Sequence, residues 1–267
     1  MEQIARARQP AERFPVVTLK AVNQSDLVAI SIVALSPMLI ASPHPDDETL
    51  GCGGLIARCA ALGCAVAVLA MTRGEASHPG DTDWQARLGG IREREQRNAL
   101  KVLGLTDPDI IRLALPDGGL EHLEPEQSSQ LRDCILRVMQ SRSIRTVFVP
   151  AIDDCHADHR MTARLLANVV VDHPVGHFFS YQIWPPEERP PRVSANECKY
   201  THDISDLVAL KREAIYQHRS QLGVIDPAHA EGFRMPEVLL KAKLQDAESF
   251  ALIRDIAAWN ECHPRYS

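Results

Sequence analysis

No C-x-x-C pair occurs among the seven cysteines of this sequence, which stand at 52, 59, 64, 134, 155, 198 and 262. An odd count without close pairs, in a chain of 267 residues, excludes a disulfide framework and a zinc site built from cysteine alone, and a reducing cytoplasm is the expected compartment. Long apolar stretches are missing as well. The longest, Leu27 to Ala41, is interrupted by Ser31, Ser36 and Pro37 and falls short of the roughly 18 residues that span a bilayer. The polar, mixed-charge residues ahead of it are not expected to form a signal peptide. Positive charge is not in excess: 29 Lys and Arg stand against 35 Asp and Glu, a net charge of -6, so binding to nucleic acid through bulk positive charge is not expected. There is no internal repeat and no low-complexity tract. What remains is an ordinary globular composition, 45% hydrophobic and 24% charged, long enough for one large domain or two small ones.

Apolar, β-branched runs alternate with longer amphipathic stretches, the pattern of β-α-β units around a parallel sheet. Strands are expected at Met38–Ser42, Cys64–Met71, Asp109–Leu115, Thr146–Pro150 and His177–Ile183. Helices are expected between them, at Leu50–Leu62, Asp83–Leu103, Pro125–Ser141 and His159–Val171. Right-handed crossovers then place helices on both faces of one mostly parallel α/β sheet. Beyond Trp184, prolines at 185, 186, 190 and 191 interrupt regular structure and predict a surface excursion. A helix is expected over Asp206–Gln221, and partial helix between Pro236 and Glu261. This divides the chain into an N-terminal arm (1–36), a catalytic α/β domain (37–222) and a C-terminal extension packed on that domain (223–267).

The densest chemistry is Pro43-His44-Pro45-Asp46-Asp47-Glu48, directly after the first of these strands. Open α/β sheets bind ligands outside the carboxyl ends of their strands, which is where this run falls. His44 and Asp47, three residues apart on a sharp turn, offer an imidazole and a carboxylate to one cation. A borderline ion such as Zn²⁺ accepts both, and a catalytic site needs three protein ligands and one open position. Alone, the same residues also read as a turn that caps the next helix. The fourth strand leads into a second polar loop, Asp153-Asp154-Cys155-His156-Ala157-Asp158-His159, which offers a third ligand. With eleven histidines in the chain the H-x-x-H spacing carries little weight; its position after a buried strand carries more. Asp158 is placed to N-cap the helix that follows.

With Gly51-Cys52-Gly53-Gly54, Thr72-Arg73-Gly74-Glu75 and His218-Arg219-Ser220-Gln221 added, the chain resembles the zinc-dependent PIG-L/LmbE-type N-deacetylases over about residues 38–222. Those enzymes act on N-acetylglucosaminyl compounds. The resemblance implies a Rossmann-like fold with His44, Asp47 and His159 as zinc ligands. It also implies Asp46 as general base and His156 as the residue that stabilises an oxyanion or donates a proton. The implied reaction removes an N-acyl group, N-acetyl in the first instance, from a small amino-sugar substrate. The implied cofactor is Zn²⁺, with other divalent ions such as Fe²⁺ compatible with the same residue types.

The residue chemistry agrees with that division. Adjacent aspartates cannot both reach one ion from a short turn, so Asp47, paired with His44 at i+3, is the better ligand and Asp46 is free to take a proton. Asp46 and His156 both qualify to protonate the leaving amine. Arg73, Glu75 and Asp117 follow strands at the same edge and are candidate substrate contacts. Trp184 is a candidate sugar-stacking ring, and His78 a candidate lining residue. His218 and Gln221 read as buried polar packing or as groups that orient the ligands. The glycines after the first strand do not make a dinucleotide fingerprint, because Ile56 stands where a third small residue is needed. Two alternatives stay open: an amidase of a sugar-thiol conjugate, and a non-catalytic, metal-stabilised binding module. Asp46 weighs against the second, since a structural site needs no base beside an open coordination position.

Overall fold

A computed structural model describes residues 17–22, 29–185 and 197–261. Its strands are β1 (Thr18–Ala21), β2 (Ile30–Ser31), β3 (Met38–Ser42), β4 (Val66–Thr72), β5 (Asp109–Leu115), β6 (Thr146–Pro150), β7 (His177–Tyr181), β8 (Glu197–Asp203) and β9 (Ala247–Ile253). The helices are α1 (Ile32–Leu35), α2 (Asp47–Ala61), α3 (Thr82–Val102), α4 (Pro125–Ser141), α5 (Ala157–Asp172), α6 (Val208–Ile215), α7 (Glu237–Lys243) and α8 (Ile256–Glu261). The strands form one sheet in the order β2-β1-β8-β9-β7-β6-β3-β4-β5. Strands β7, β6, β3, β4 and β5 pair in parallel, and the other four extend the sheet in antiparallel pairing.

The parallel block is Rossmann-like because its strands are apolar on both faces. Met38, Ile40, Val68 and Phe148 enter one core with Leu55 of α2 and Leu100 of α3. Their neighbours Leu39, Ala41, Leu69 and Val147 enter a second core with Ile135 of α4 and Leu166 of α5. Side chains alternate faces with a period of two, so a nearly continuous hydrophobic run supplies both cores at once. Strand order reverses between β3 and β6: β3 leads through α2 to β4 on one side, and β6 through α5 to β7 on the other. Loops leaving adjacent strands in opposite directions open a crevice at their carboxyl ends.

Local chemistry sets the helix starts. Asp81 caps α3 by accepting the Trp84 N–H at 2.8 Å. Helix α4 opens on Glu124 and Gln127, which form a reciprocal capping box ahead of Pro125 at the first helical position. The glycines of α2 serve close packing. A Cβ on Gly51 would meet Tyr181 Cδ2 at 2.3 Å, and one on Gly54 would meet Ile204 Cγ2 at 2.4 Å. Glu248 of β9 clamps the same helix. It accepts Gly54 N–H at 2.7 Å and Leu55 N–H at 2.8 Å, while Lys211 Nζ of α6 donates to it at 2.7 Å.

Four elements depart from the sequence expectation. The helix expected over Asp206–Gln221 stops at Ile215 and is followed by a 3-10 turn, Arg219–Leu222. Breaking the helix releases Ser220, whose N–H and hydroxyl both donate to Glu95, at 2.9 and 2.7 Å. The segment read as partly helical from Pro236 to Glu261 contains the strand β9, where Glu248 and Phe250 alternate inward. Strand β8 was not expected, nor was the entry of Thr18–Ala21 into the sheet beside it. The proline-rich excursion, apart from Pro185, lies outside the described residues. Among those described, no helix is long and apolar enough to cross a membrane.

Candidate metal centre

The turn after β3 is built by the chain around one carbonyl. His44 O accepts the N–H of Asp46 at 2.9 Å and of Asp47 at 3.2 Å, and Asp47 Oδ2 accepts the His44 N–H at 2.9 Å. Below it, Ser42 Oγ lies 2.7 Å from His44 O and 2.6 Å from the buried Glu48 carboxylate, which also accepts from Gln96 Nε2 at 3.0 Å. The turn is thus pinned to β3 on one side and to α3 on the other.

On this turn His44 Nδ1 stands 3.2 Å from Asp47 Oδ2. His159, in the first turn of α5, brings its Nε2 to 3.2 Å from the same Asp47 oxygen and 3.3 Å from His44 Nδ1. These three donor atoms make a nearly equilateral triangle. A tetrahedral ion with ligand bonds of about 2.0–2.1 Å requires ligand separations of about 3.3–3.4 Å, so the triangle has the size of one face of such a site. Each imidazole is backed by carboxylates. His44 Nε2 lies 3.1 Å from Asp117 Oδ1 and 3.3 Å from Asp158 Oδ2, and His159 Nδ1 lies 3.2 Å from Asp154 Oδ2. Outer carboxylates of this kind orient metal-binding imidazoles and raise their basicity.

The electrostatics favour positive charge at this place. Burial by itself would lower the pKa of His44, but Asp117, Asp158 and Asp47 outweigh it and hold the imidazole well above its usual range. For His159 burial is likewise outweighed, by Asp47 and Asp154, and the pKa stands at about 9. Burial opposes ionisation of Asp47, yet His159 and His44 hold it well below the usual carboxylate range. A donor set that favours positive charge in this way suits a small divalent cation.

Asp46 faces a different environment. Burial raises its carboxyl to about 7, even though Arg92 pulls the other way, with Nη2 3.2 Å from Asp46 Oδ2. Arg92 is held by Gly74 O, to which its Nη1 donates at 2.8 Å. His156 is the N-cap of α5: its Nδ1 accepts the Asp158 N–H at 3.2 Å, so the neutral ring carries its proton on Nε2. Burial, His44 and His159 lower its pKa, which favours that neutral form. One ring nitrogen of each of His44, His156 and His159 lies within 4.8 Å of the others.

His44, Asp46, Asp47, Arg92 and His156 line a cavity of about 250 Å³ with Asp117, Ser77 and Gln221, while His159 is fully buried behind it. Leu50, Ile183, Trp184, Phe233 and Met235 supply its apolar lining, with Trp184 and Phe233 edge to face at 6.0 Å. The structure therefore brings His44, Asp46, Asp47, His156, His159 and Asp117 together. Arg73 does not line this cavity: its Nε donates to Glu93 at 2.8 Å. Glu75 does not line it either, and accepts the Asp117 N–H at 3.1 Å. His78 is buried beside Ser77 rather than exposed to the cavity. Asp158 is not the cap of α5. It accepts the N–H of Gly118 at 2.8 Å and of Leu120 at 3.2 Å, which aims it at His44. His218 packs behind the site with Nε2 3.3 Å from Thr49 Oγ1.

Arg92, Phe233 and Met235 were not anticipated. Arg92 had a signal: it lies on the buried stripe of α3 with Leu88, Gln96 and Ala99, where a charged residue needs a specific partner. Phe233 and Met235 had none, because their place depends on Phe233 N–H reaching Ser77 O at 2.8 Å and Met235 N–H reaching Gln221 O at 2.7 Å.

Residues 39–170 match the family model described as PIG-L: GlcNAc-PI de-N-acetylase. That segment is similar to the PIG-L family. Both loops that carry the candidate ligands fall within residues 39–170. The chain is 34% identical over 123 residues to the uncharacterized deacetylase YaiS of Escherichia coli (strain K12), a match covering 46% of this chain and 61% of that protein. It is 42% identical over 81 residues to the 1D-myo-inositol 2-acetamido-2-deoxy-alpha-D-glucopyranoside deacetylase of Rhodococcus jostii (strain RHA1), covering 28% of each. The chain thus spans less than two thirds of the length of these relatives. Among solved structures it is similar to N,N'-diacetylchitobiose deacetylase from Pyrococcus horikoshii, with a TM-score of 0.61 and 23% identity over 81% of this chain and 83% of that one. At that identity the likeness is one of fold, and it sets the PIG-L segment within the same α/β architecture.

Proposed function

We propose that this protein is a metal-dependent N-deacetylase that hydrolyses the acetamide of an N-acetylglucosaminyl-type amino sugar, with His44, Asp47 and His159 holding a divalent ion, Zn²⁺ in the first instance. The observation that carries the reading is the triangle of donor atoms, 3.2, 3.2 and 3.3 Å on its edges, at a cavity that the Asp46 carboxyl also lines. An ion held there supplies Lewis acidity, acidifying water and polarising an amide carbonyl.

The chain's own groups do the rest. Asp46, with a carboxyl at about 7, takes the proton of the attacking water near neutral pH. Arg92 keeps that carboxyl in place while its own position is held by Gly74 O. As water adds to the carbonyl, negative charge grows on the carbonyl oxygen, and His156 Nε2–H is the donor that meets it; one such donor is typically worth about 10²- to 10³-fold in rate. The C–N bond then breaks, and the amine leaves with the proton that Asp46 took from water. Acetate and a free amine result, so the step balances as addition of water across the amide.

The cavity supports a small sugar. Its volume of about 250 Å³ lies just below the roughly 300–1,000 Å³ typical of ligand pockets. Asp117 and Gln221 offer hydrogen bonds to hydroxyls, and Trp184 offers an apolar face to a ring. The names carried by the relatives, sugar-acetamide deacetylases, support the same class. The test is a screen of N-acetylated amino sugars with amine release as the readout, run on zinc-loaded, iron-loaded and chelated protein. Release should require the metal. Full activity after chelation, or no release from any amino sugar by the loaded protein, would overturn the reading.

A further inference from the structure

Asp154 lies in the second polar loop, and neither the ligand set nor the proton transfers above use it. It is fully buried. Its two oxygens meet three groups that belong to different parts of the cavity. Oδ1 accepts the His156 N–H at 2.9 Å. Oδ2 accepts the Trp184 N–H at 3.0 Å and lies 3.2 Å from His159 Nδ1. The loop is braced around this carboxylate. Arg160 Nη1 donates to Asp154 O and Cys155 O, both at 2.9 Å, and Cys155 N–H donates to Pro185 O at 3.2 Å.

Resting on the function proposed above, we infer that Asp154 is a positioning residue that sets the His159 tautomer and the Trp184 wall together. The carboxylate charge 3.2 Å from His159 Nδ1, an ion-pair contact off the line of a hydrogen bond, favours the proton on Nδ1 and the lone pair on Nε2, the corner of the donor triangle. The same oxygen holds the backbone of Trp184, so the apolar wall of the cavity is registered against a metal ligand. Oδ1 meanwhile fixes the start of α5, from which His156 and His159 both project. One carboxylate thereby couples the ion-binding half of the cavity to its substrate-binding half.

Asp154→Asn tests this with little change of shape. An amide has one acceptor oxygen, so either orientation turns an NH₂ group toward an N–H that now meets an oxygen. Zinc affinity, measured by competition with a chelator, should fall about 10- to 100-fold, the usual effect of losing an outer carboxylate. At saturating zinc, KM for the amino sugar should rise about 3- to 10-fold, the effect of losing one hydrogen bond, either behind Trp184 or at His156 where α5 starts. A purely structural role would lower the melting temperature and leave both constants of the folded protein unchanged, and that result would overturn the inference. The wild-type protein gives a second arm that needs no variant: in the zinc-loaded state, ¹⁵N NMR should show His159 protonated at Nδ1. A His159 protonated at Nε2 would overturn it even if the variant fails to fold. Wild-type protein that binds no zinc would remove the proposed function, and this inference with it. Zinc-binding wild type with an indifferent Asp154→Asn variant would remove this inference alone.

Discussion

Replacing Asp46 with asparagine keeps the size of the side chain and removes the proton acceptor. Loss of a general base typically costs about 10²- to 10⁴-fold in rate, which is about 3 to 5 kcal/mol of transition-state stabilisation at 1.4 kcal/mol per decade. The structural cost is smaller than a broken buried ion pair would suggest. Asp46 and Arg92 are both nearly inaccessible, with 8% and 3% of their side chains exposed and Nη2 to Oδ2 at 3.2 Å. Removing one partner of such a pair commonly costs about 3–5 kcal/mol. Here Arg92 keeps its bond to Gly74 O at 2.8 Å. The Asp46 carboxyl, at about 7, is only partly ionised at neutral pH, and the amide oxygen of asparagine still accepts from Nη2. The expected loss is therefore about 1–2 kcal/mol, that of one charge-assisted hydrogen bond. It corresponds to a fall in melting temperature of about 2–8 °C for a chain of this size. None of the triangle atoms belongs to Asp46, so bound zinc should be retained. The assay combines kcat at saturating zinc, zinc content and a thermal melt on the same preparation. A kcat within tenfold of wild type, or loss of zinc alongside kcat, would refute the separation of base from ligands.

Three further outcomes follow from other parts of the structure. Zinc at 100 times its Kd should stabilise the wild-type protein by about 2.7 kcal/mol, and His44→Ala should abolish that gain; equal zinc-induced shifts in thermal melts of the two proteins would exclude His44 as a ligand. Gly54→Ala should destabilise by about 1–2 kcal/mol in denaturant unfolding, because overpacking against Ile204 at 2.4 Å outweighs the helix-propensity gain of about 0.5–1 kcal/mol; a variant at least as stable as wild type would show that α2 and Ile204 are not in that contact. His218 is held neutral by burial, with its pKa pushed down to about 3. Its folded pKa thus lies below its unfolded value of about 6.5, so the unfolded chain alone takes up a proton as pH falls below 6.5, and stability is lost from there down toward pH 3. Between pH 7 and pH 5 this amounts to about 2 kcal/mol. His218→Gln should remove that part of the slope, and an unchanged slope would show that His218 is protonated in the fold.

The elements read correctly from the sequence are those whose signal is local. Strands β3, β5 and β6 and helix α4 have the expected bounds because an apolar run, a proline and a capping box act within a few residues of one another. The Pro43–Glu48 turn was legible for the same reason: His44 and Asp47 lie one turn apart, and their convergence needs no other part of the chain. Residues 206–261 were less legible. Their periodicity reads as helix, but Ser220 finds Glu95 and Glu248 finds Lys211 and the backbone of α2, long-range bonds that outweigh local preference.

Residue types and their spacing, then, were enough to nominate a cation-binding turn, a second ligand loop and a parallel sheet to carry them. Folding decided which carboxylates serve. Reversal of strand order between β3 and β6 brings His159 within 3.3 Å of His44, 115 residues away in the chain. The same packing turns Arg73 away to Glu93 and brings Arg92 in to Asp46. It also places Asp117, Asp154 and Asp158 behind the two imidazoles. Buried charges are stable only where partners converge on them, and that convergence is a property of the packed sheet and helices, not of any segment alone.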